Sequence, residues 1–133
     1  MISLKKKVLI LVVEDEEILS RTLAEKLASE GFDVSTAYDG EEGLQKALKD
    51  HPDLILLDLL MPKVDGLTLL KKLREDPWGV NAQVMILTNV SDPVKVAEGM
   101  HAGIDGTYEY LVKSNWSLED VIARIKQKLE IKS

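Results

Sequence analysis

Short apolar blocks alternate with longer amphipathic stretches along the whole chain. Val8–Val13 is a continuous apolar run, the pattern of a parallel strand buried on both faces. From about Glu16 to Ser29, Leu19, Leu23 and Leu27 recur at four-residue spacing, which predicts a helix that Gly31 ends. Phe32, Val34 and Thr36 alternate with polar residues, as in an edge strand. Asp39 is placed to cap a helix whose Leu44, Ala47 and Leu48 form an apolar stripe, and Pro52 closes that segment. Leu54–Leu57 is the next buried strand. Asp65-Gly66 opens a third helix carrying Leu67, Leu70 and Leu73, stopped by Asp76-Pro77. Trp78 to Gln83 reads as a loop and Val84–Leu87 as a fourth strand. Asp92-Pro93 pairs a capping side chain with proline at the first helical position, predicting a fourth helix that runs to about His101. Tyr108–Val112 is a fifth strand. Ser117 caps a last helix in which Leu118, Val121, Ile122, Ile125 and Leu129 sit at offsets of three and four.

Five β units thus alternate with five α units. That alternation predicts a doubly wound α/β domain, a five-stranded parallel sheet with helices on both faces and right-handed crossovers. No internal repeat, low-complexity segment or linker interrupts it, so residues 1–133 read as a single domain.

The strand ends carry the candidate chemistry. Glu14 and Asp15 follow the first apolar run, Asp58 the third, Thr88 the fourth and Lys113 the fifth. In a parallel sheet these ends lie side by side, and the crevice there is where open α/β sheets bind ligands. Three carboxylates suit a hard divalent cation such as Mg²⁺. A lysine and a hydroxyl suit a phosphoryl group. Metal-assisted phosphoryl transfer is the chemistry this set points to.

Charge and composition narrow the partners. The formal net charge of −6 disfavours nucleic acid, whose affinity for proteins comes largely from clustered Lys and Arg. There is no cysteine, hence neither a disulfide framework nor thiol chemistry, which agrees with a reducing compartment. Lys5-Lys6-Lys7 before the first apolar run imitates a signal peptide, but that run is short and Glu14-Asp15-Glu16-Glu17 stands where small residues would mark cleavage. No run approaches the roughly 20 apolar residues of a membrane span. A cytoplasmic domain without membrane contact is expected.

The segment Asp58-Leu59-Leu60-Met61-Pro62-Lys63-Val64-Asp65-Gly66 matches the pattern D-x-x-M-P-x-x-D-G. With the acidic pair after strand one, Thr88, Tyr110 and Lys113 in order, the chain resembles a receiver domain of a two-component response regulator, similar to the chemotaxis regulators. The resemblance implies a flavodoxin-like strand order 2-1-3-4-5. It implies that Asp58 is the phosphoacceptor and that the donor is a phosphohistidine on a sensor histidine kinase or phosphotransfer protein. Asp15 then resembles the direct Mg²⁺ ligand, Glu14 a neighbour acting through water, and the Leu60 backbone carbonyl a further oxygen donor. Lys113 would pair with the phosphoryl oxygens and Thr88 would hydrogen-bond to one. Tyr110 resembles the switch aromatic, although a strand tyrosine is as often packing. The face made by the fourth helix, fifth strand and fifth helix would then dock a downstream protein or a second copy. The resemblance implies a signalling switch that catalyses its own phosphorylation and dephosphorylation, not a turnover enzyme.

Other classes fit less well. A haloacid-dehalogenase-type phosphatase needs an acid two residues after its nucleophile, where this chain has Leu60. A flavodoxin needs a hydroxyl- and glycine-rich phosphate loop after strand one, where Glu14 to Glu17 would repel phosphate. A pseudo-receiver would lack some of the acidic or lysine residues. The chain also departs from the family pattern. Glu14 stands where aspartate is commoner, and Asn89 is bulkier than the usual residue after Thr88. Gly103 to Tyr110 is a longer approach to strand five. Ser114 stands where proline, often in a cis bond, follows the lysine. His51 and His101 read as structural or solvent-facing.

Overall fold

The apolar run after Lys7 forms β1 (Leu9–Val13). It pairs in parallel with β2 (Asp33–Ala37) on one side and β3 (Leu54–Leu57) on the other. β4 (Val84–Thr88) and β5 (Tyr108–Val112) complete a five-stranded parallel sheet in the order β2-β1-β3-β4-β5, as the resemblance implied. The computed structural model describes residues 7–59, 65–88 and 108–129, with the backbone alone at Tyr108 and Tyr110.

Successive strand side chains point to opposite faces, and this period of two divides the apolar runs between two cores. Leu11, Val13, Ile55, Leu57, Val84 and Ile86 face α2 (Gly40–Asp50) and α3 (Gly66–Arg74) through Ala47, Leu69, Leu70 and Leu73. Ile10, Val12, Leu54, Leu56, Met85 and Leu87 face α1 (Glu17–Ser29) and α4 (Leu118–Lys128) through Leu23, Leu27, Val121 and Ile125. The continuous apolar runs are therefore two interleaved faces, each covered by helices. Burying each such Leu or Ile contributes roughly 1.5–3 kcal/mol.

Among the described residues the caps predicted at Asp39 and Ser117 form, and Asp65 caps the helix it opens. Asp39 accepts the Glu42 N–H at 2.8 Å and Asp65 accepts the Thr68 N–H at 2.8 Å. Ser117 and Asp120 exchange hydrogen bonds in a capping box, which satisfies two otherwise orphaned N–H groups of α4. His51 ends α2 in the left-handed region (φ 48°), and its ring stacks on Trp78 with centroids 4.3 Å apart. Lys46 of α2 pairs with Glu42 at 3.3 Å and donates to the Thr36 carbonyl of edge strand β2.

One expectation needs correction. The stretch from Trp78 to Gln83 is not all loop: Gly79–Asn81 forms a 3-10 turn. Arg74 holds it, donating to the carbonyls of Gly79 at 2.7 Å and Ala82 at 2.9 Å. The helix expected from Asp92 to His101 lies outside the described residues.

Candidate functional site at the carboxyl ends of the strands

Strand register builds the site. Val13 lies beside Leu57, Leu57 beside Ile86, and Thr88 beside Val112. Glu14, Asp58 and Lys113, each the residue after its strand, therefore share one rim with Thr88 at the end of β4. Pleating sets their direction. Glu14, Asp58 and Lys113 each lie two residues beyond Val12, Leu56 and Leu111, all in the core beneath α1 and α4. Thr88 lies two beyond Ile86, in the core beneath α2 and α3.

The three aligned residues meet. Lys113 Nζ is 2.8 Å from Glu14 Oε1 and 3.3 Å from Asp58 Oδ2. Glu16 Oε1 is more distant, at 4.0 Å. The other oxygen of Glu14 accepts the Glu16 N–H at 3.0 Å, which ties the carboxylate to the entry of α1. Asp58 is anchored by its own N–H, which donates to the Val13 carbonyl at 3.0 Å. Glu14, Asp58 and Thr88 are all buried, while Asp15 is exposed. Lys113 also lines an apolar cavity of about 140 Å³ with Leu19, Leu23, Leu87, Trp116 and Val121.

Burial controls the electrostatics. Desolvation pushes the Glu14 carboxyl up from 4.5 to about 7, although the Lys113 hydrogen bond pulls it down. Desolvation alone would lower Lys113. The Glu14 hydrogen bond and the Asp58 charge outweigh it and hold the ammonium above the ordinary lysine value. Lys113 is therefore a firmly charged cation among carboxylates.

Gly66 gives the rim its shape. A Cβ there would lie 2.3 Å from the Asp58 carbonyl oxygen and 2.7 Å from Leu59 Cα. The first turn of α3 therefore rests directly on the backbone that carries Asp58, and the Gly66 N–H donates to the Leu59 carbonyl at 3.0 Å. Only glycine permits this approach.

Each expected site residue can now be placed. Glu14, Asp15 and Asp58 offer carboxylate oxygens within 4.8 Å of one another, a hard-oxygen set that fits Mg²⁺, and the exposed Asp15 leaves room for water ligands. The backbone carbonyl of Leu60 lies outside the described residues, as does the side chain of Tyr110, whose backbone pairs with Ile86 in β5. The Lys113–Ser114 peptide is trans, and Lys113 to Asn115 forms a 3-10 turn. Lys113 reaches Asp58 without proline after it. Sequence reasoning missed the Glu14–Lys113 contact and the packing role of Gly66. The signal for Gly66 was its place in the Asp58-to-Gly66 motif.

Comparison with known proteins agrees with this geometry. Residues 10–126 match the response regulator receiver domain family. The Staphylococcus aureus response regulator ArlR is 39% identical over 117 residues, covering 88% of this chain and 50% of that protein. The chain thus spans about half the length of this curated relative. The Francisella response regulator 1452 receiver domain has a TM-score of 0.78 at 30% identity, over 93% of this chain and 98% of that one. The Vibrio cholerae chemotaxis protein CheY4 has a TM-score of 0.81 at 28% identity, over 92% and 98%. Borrelia burgdorferi CheY, in a complex with CheX, BeF3 and Mg, has a TM-score of 0.78 at 28% identity, over 94% and 90%. Strand order, rim and family match agree, and the chain belongs to the response regulator receiver domain family of two-component systems.

Proposed function

We propose that the site takes a phosphoryl group from a phosphohistidine onto Asp58, and that the phosphorylated chain then signals to a protein partner. The observation that carries this reading is the Lys113 ammonium 3.3 Å from the Asp58 carboxylate, on a rim shared with Thr88, Glu14 and Asp15. An Asp58 oxygen attacks phosphorus, the phosphorus–nitrogen bond of the donor breaks, and the imidazole leaves after taking a proton. Lys113 neutralises charge on the transferring oxygens and the Thr88 hydroxyl hydrogen-bonds to one of them. Asp15 would hold Mg²⁺ directly, Glu14 through water, with Asp58 and the Leu60 carbonyl completing the protein's share. Bound there, the ion supplies further charge neutralisation on the phosphoryl oxygens. The Borrelia CheY complex with BeF3 and Mg supports this, as a protein of the same fold.

In this proposal residues 1–133 act as one receiver unit and as a switch rather than a turnover enzyme. A sensor histidine kinase or phosphotransfer protein supplies the phosphoryl group. Thr88 and Tyr110 relay phosphorylation to the face of the fourth predicted helix, β5 and α4, where a downstream protein or second copy docks. Acetyl phosphate with Mg²⁺ should add one phosphate to the chain by intact-mass spectrometry, and Asp58→Asn should abolish the adduct. An equal adduct on Asp58→Asn would overturn the assignment.

A further inference from the structure

Leu19 and Leu23 stand four apart on α1, and Leu118 and Val121 stand three apart on α4, so each pair shares one helix face. The two faces flank Leu87 of β4, and the apolar cavity of about 140 Å³ lies between them. Trp116, just after the 3-10 turn of Lys113 to Asn115, adds its indole to the wall. Leu23, Leu87 and Val121 are buried while Thr22 is exposed, so the cavity runs from the core toward solvent. Two lining residues carry a hydroxyl or an ammonium, and both groups are engaged elsewhere. Thr22 Oγ1 donates to the Ile18 carbonyl at 2.8 Å. Lys113 Nζ is held by Glu14 and Asp58, which leaves the aliphatic stem of the lysine to line the cavity.

We propose that this cavity is a binding site for one small apolar molecule, a single aromatic ring bearing at most a methyl group. Volume sets the size of the occupant. An apolar protein cavity of about 150 Å³ stays dry and takes benzene or xenon, and this cavity is close to that volume. Chemistry sets its polarity. A water molecule needs two to four polar partners, and walls of leucine, valine and indole beside an engaged hydroxyl offer too few. An apolar ring instead gives the walls the dispersion contacts that a packed core would give them. The Trp116 indole adds a preference for an aromatic partner, stacked with an offset or set edge to face. The site lies beneath the carboxylate rim rather than in it, and the inference holds whether or not Asp58 takes a phosphoryl group.

Toluene titrated into the full chain, followed by carbon shifts of the methyl groups, tests the proposal. Saturable shifts should appear at Leu23, Leu87 and Val121. Shifts that never saturate, or that centre elsewhere, would overturn it. Imidazole, also a single small ring but one that needs hydrogen bonds, should not compete, and competition would mean that the site is not apolar. Leu118→Phe puts a ring into the same space from a half-buried position and should weaken toluene by about tenfold or more. Unchanged affinity in that variant would place the ligand outside the cavity. Ile18→Ser separates the cavity from general surface stickiness, because Ile18 is 77% exposed and does not line it. Affinity should survive that change, and its loss would count against the site. The wild-type titrations with toluene and imidazole need no variant, so a misfolded Leu118→Phe leaves the proposal open to refutation.

Discussion

Glu14 shows how far a single residue can be read from sequence. Its place after the first apolar run marked it as a rim carboxylate, as did those of Asp15, Asp58, Thr88 and Lys113, because strand ends in a parallel sheet necessarily align. Its burial and its bond to Lys113 could not be read there, since they depend on how two long side chains cross two intervening strands. Burial has a measurable consequence. The Glu14 carboxyl titrates near 4.5 when exposed and near 7 when folded, so the folded state binds its proton more tightly than the unfolded chain does. The stability this contributes is complete below pH 4.5 and lost as pH rises through about 7. In EDTA, wild-type protein should lose more stability between pH 5 and pH 8 than Glu14→Gln. Urea midpoints at the two pH values check this, and parallel losses would contradict it.

Elements were more legible than contacts. Asp39, Asp65 and Ser117 announced three helix starts because a short polar side chain before an apolar stripe can satisfy an orphaned N–H. β4 runs one residue further than its apolar run, through Thr88, since the ladder continues opposite Val112. The 3-10 turn at Gly79–Asn81 escaped notice because three residues carry no periodicity, and the guanidinium that holds it comes from Arg74 in the preceding helix. The junction of β3 and α3 is where an element boundary meets the site. Gly66→Ala would drive a methyl group into the Asp58 carbonyl, so α3 and the phosphoacceptor must move apart. We expect a loss of about 1–3 kcal/mol in stability. Acetyl phosphate labelling of Asp58 should also slow, and denaturation curves paired with labelling rates would show both.

For the molecule as a whole, alternating segments gave the layered sheet, and the family motif gave the strand order that periodicity alone leaves open. Propagation of a signal is the property least visible in sequence, because it depends on two arrangements of one chain. If Thr88 and Tyr110 relay phosphorylation, beryllofluoride with Mg²⁺ should shift amides beyond the crevice, at Tyr110 and from Val94 to Met100. Shifts confined to Glu14, Asp15 and Asp58 would mean that no such relay operates. The opposite border of the sheet matters when molecules meet one another. Among the described residues β2 closes the sheet there with no strand outside it, and an unguarded border of that kind invites a neighbour's backbone to extend the ladder. Lys46 occupies the Thr36 carbonyl and sets a charge beside it, so an incoming chain would have to displace an ammonium before making its bond. Lys46→Ala should leave phosphorylation intact yet hasten fibril formation at high concentration, as thioflavin fluorescence and light scattering would record, with solubility the property this lysine protects.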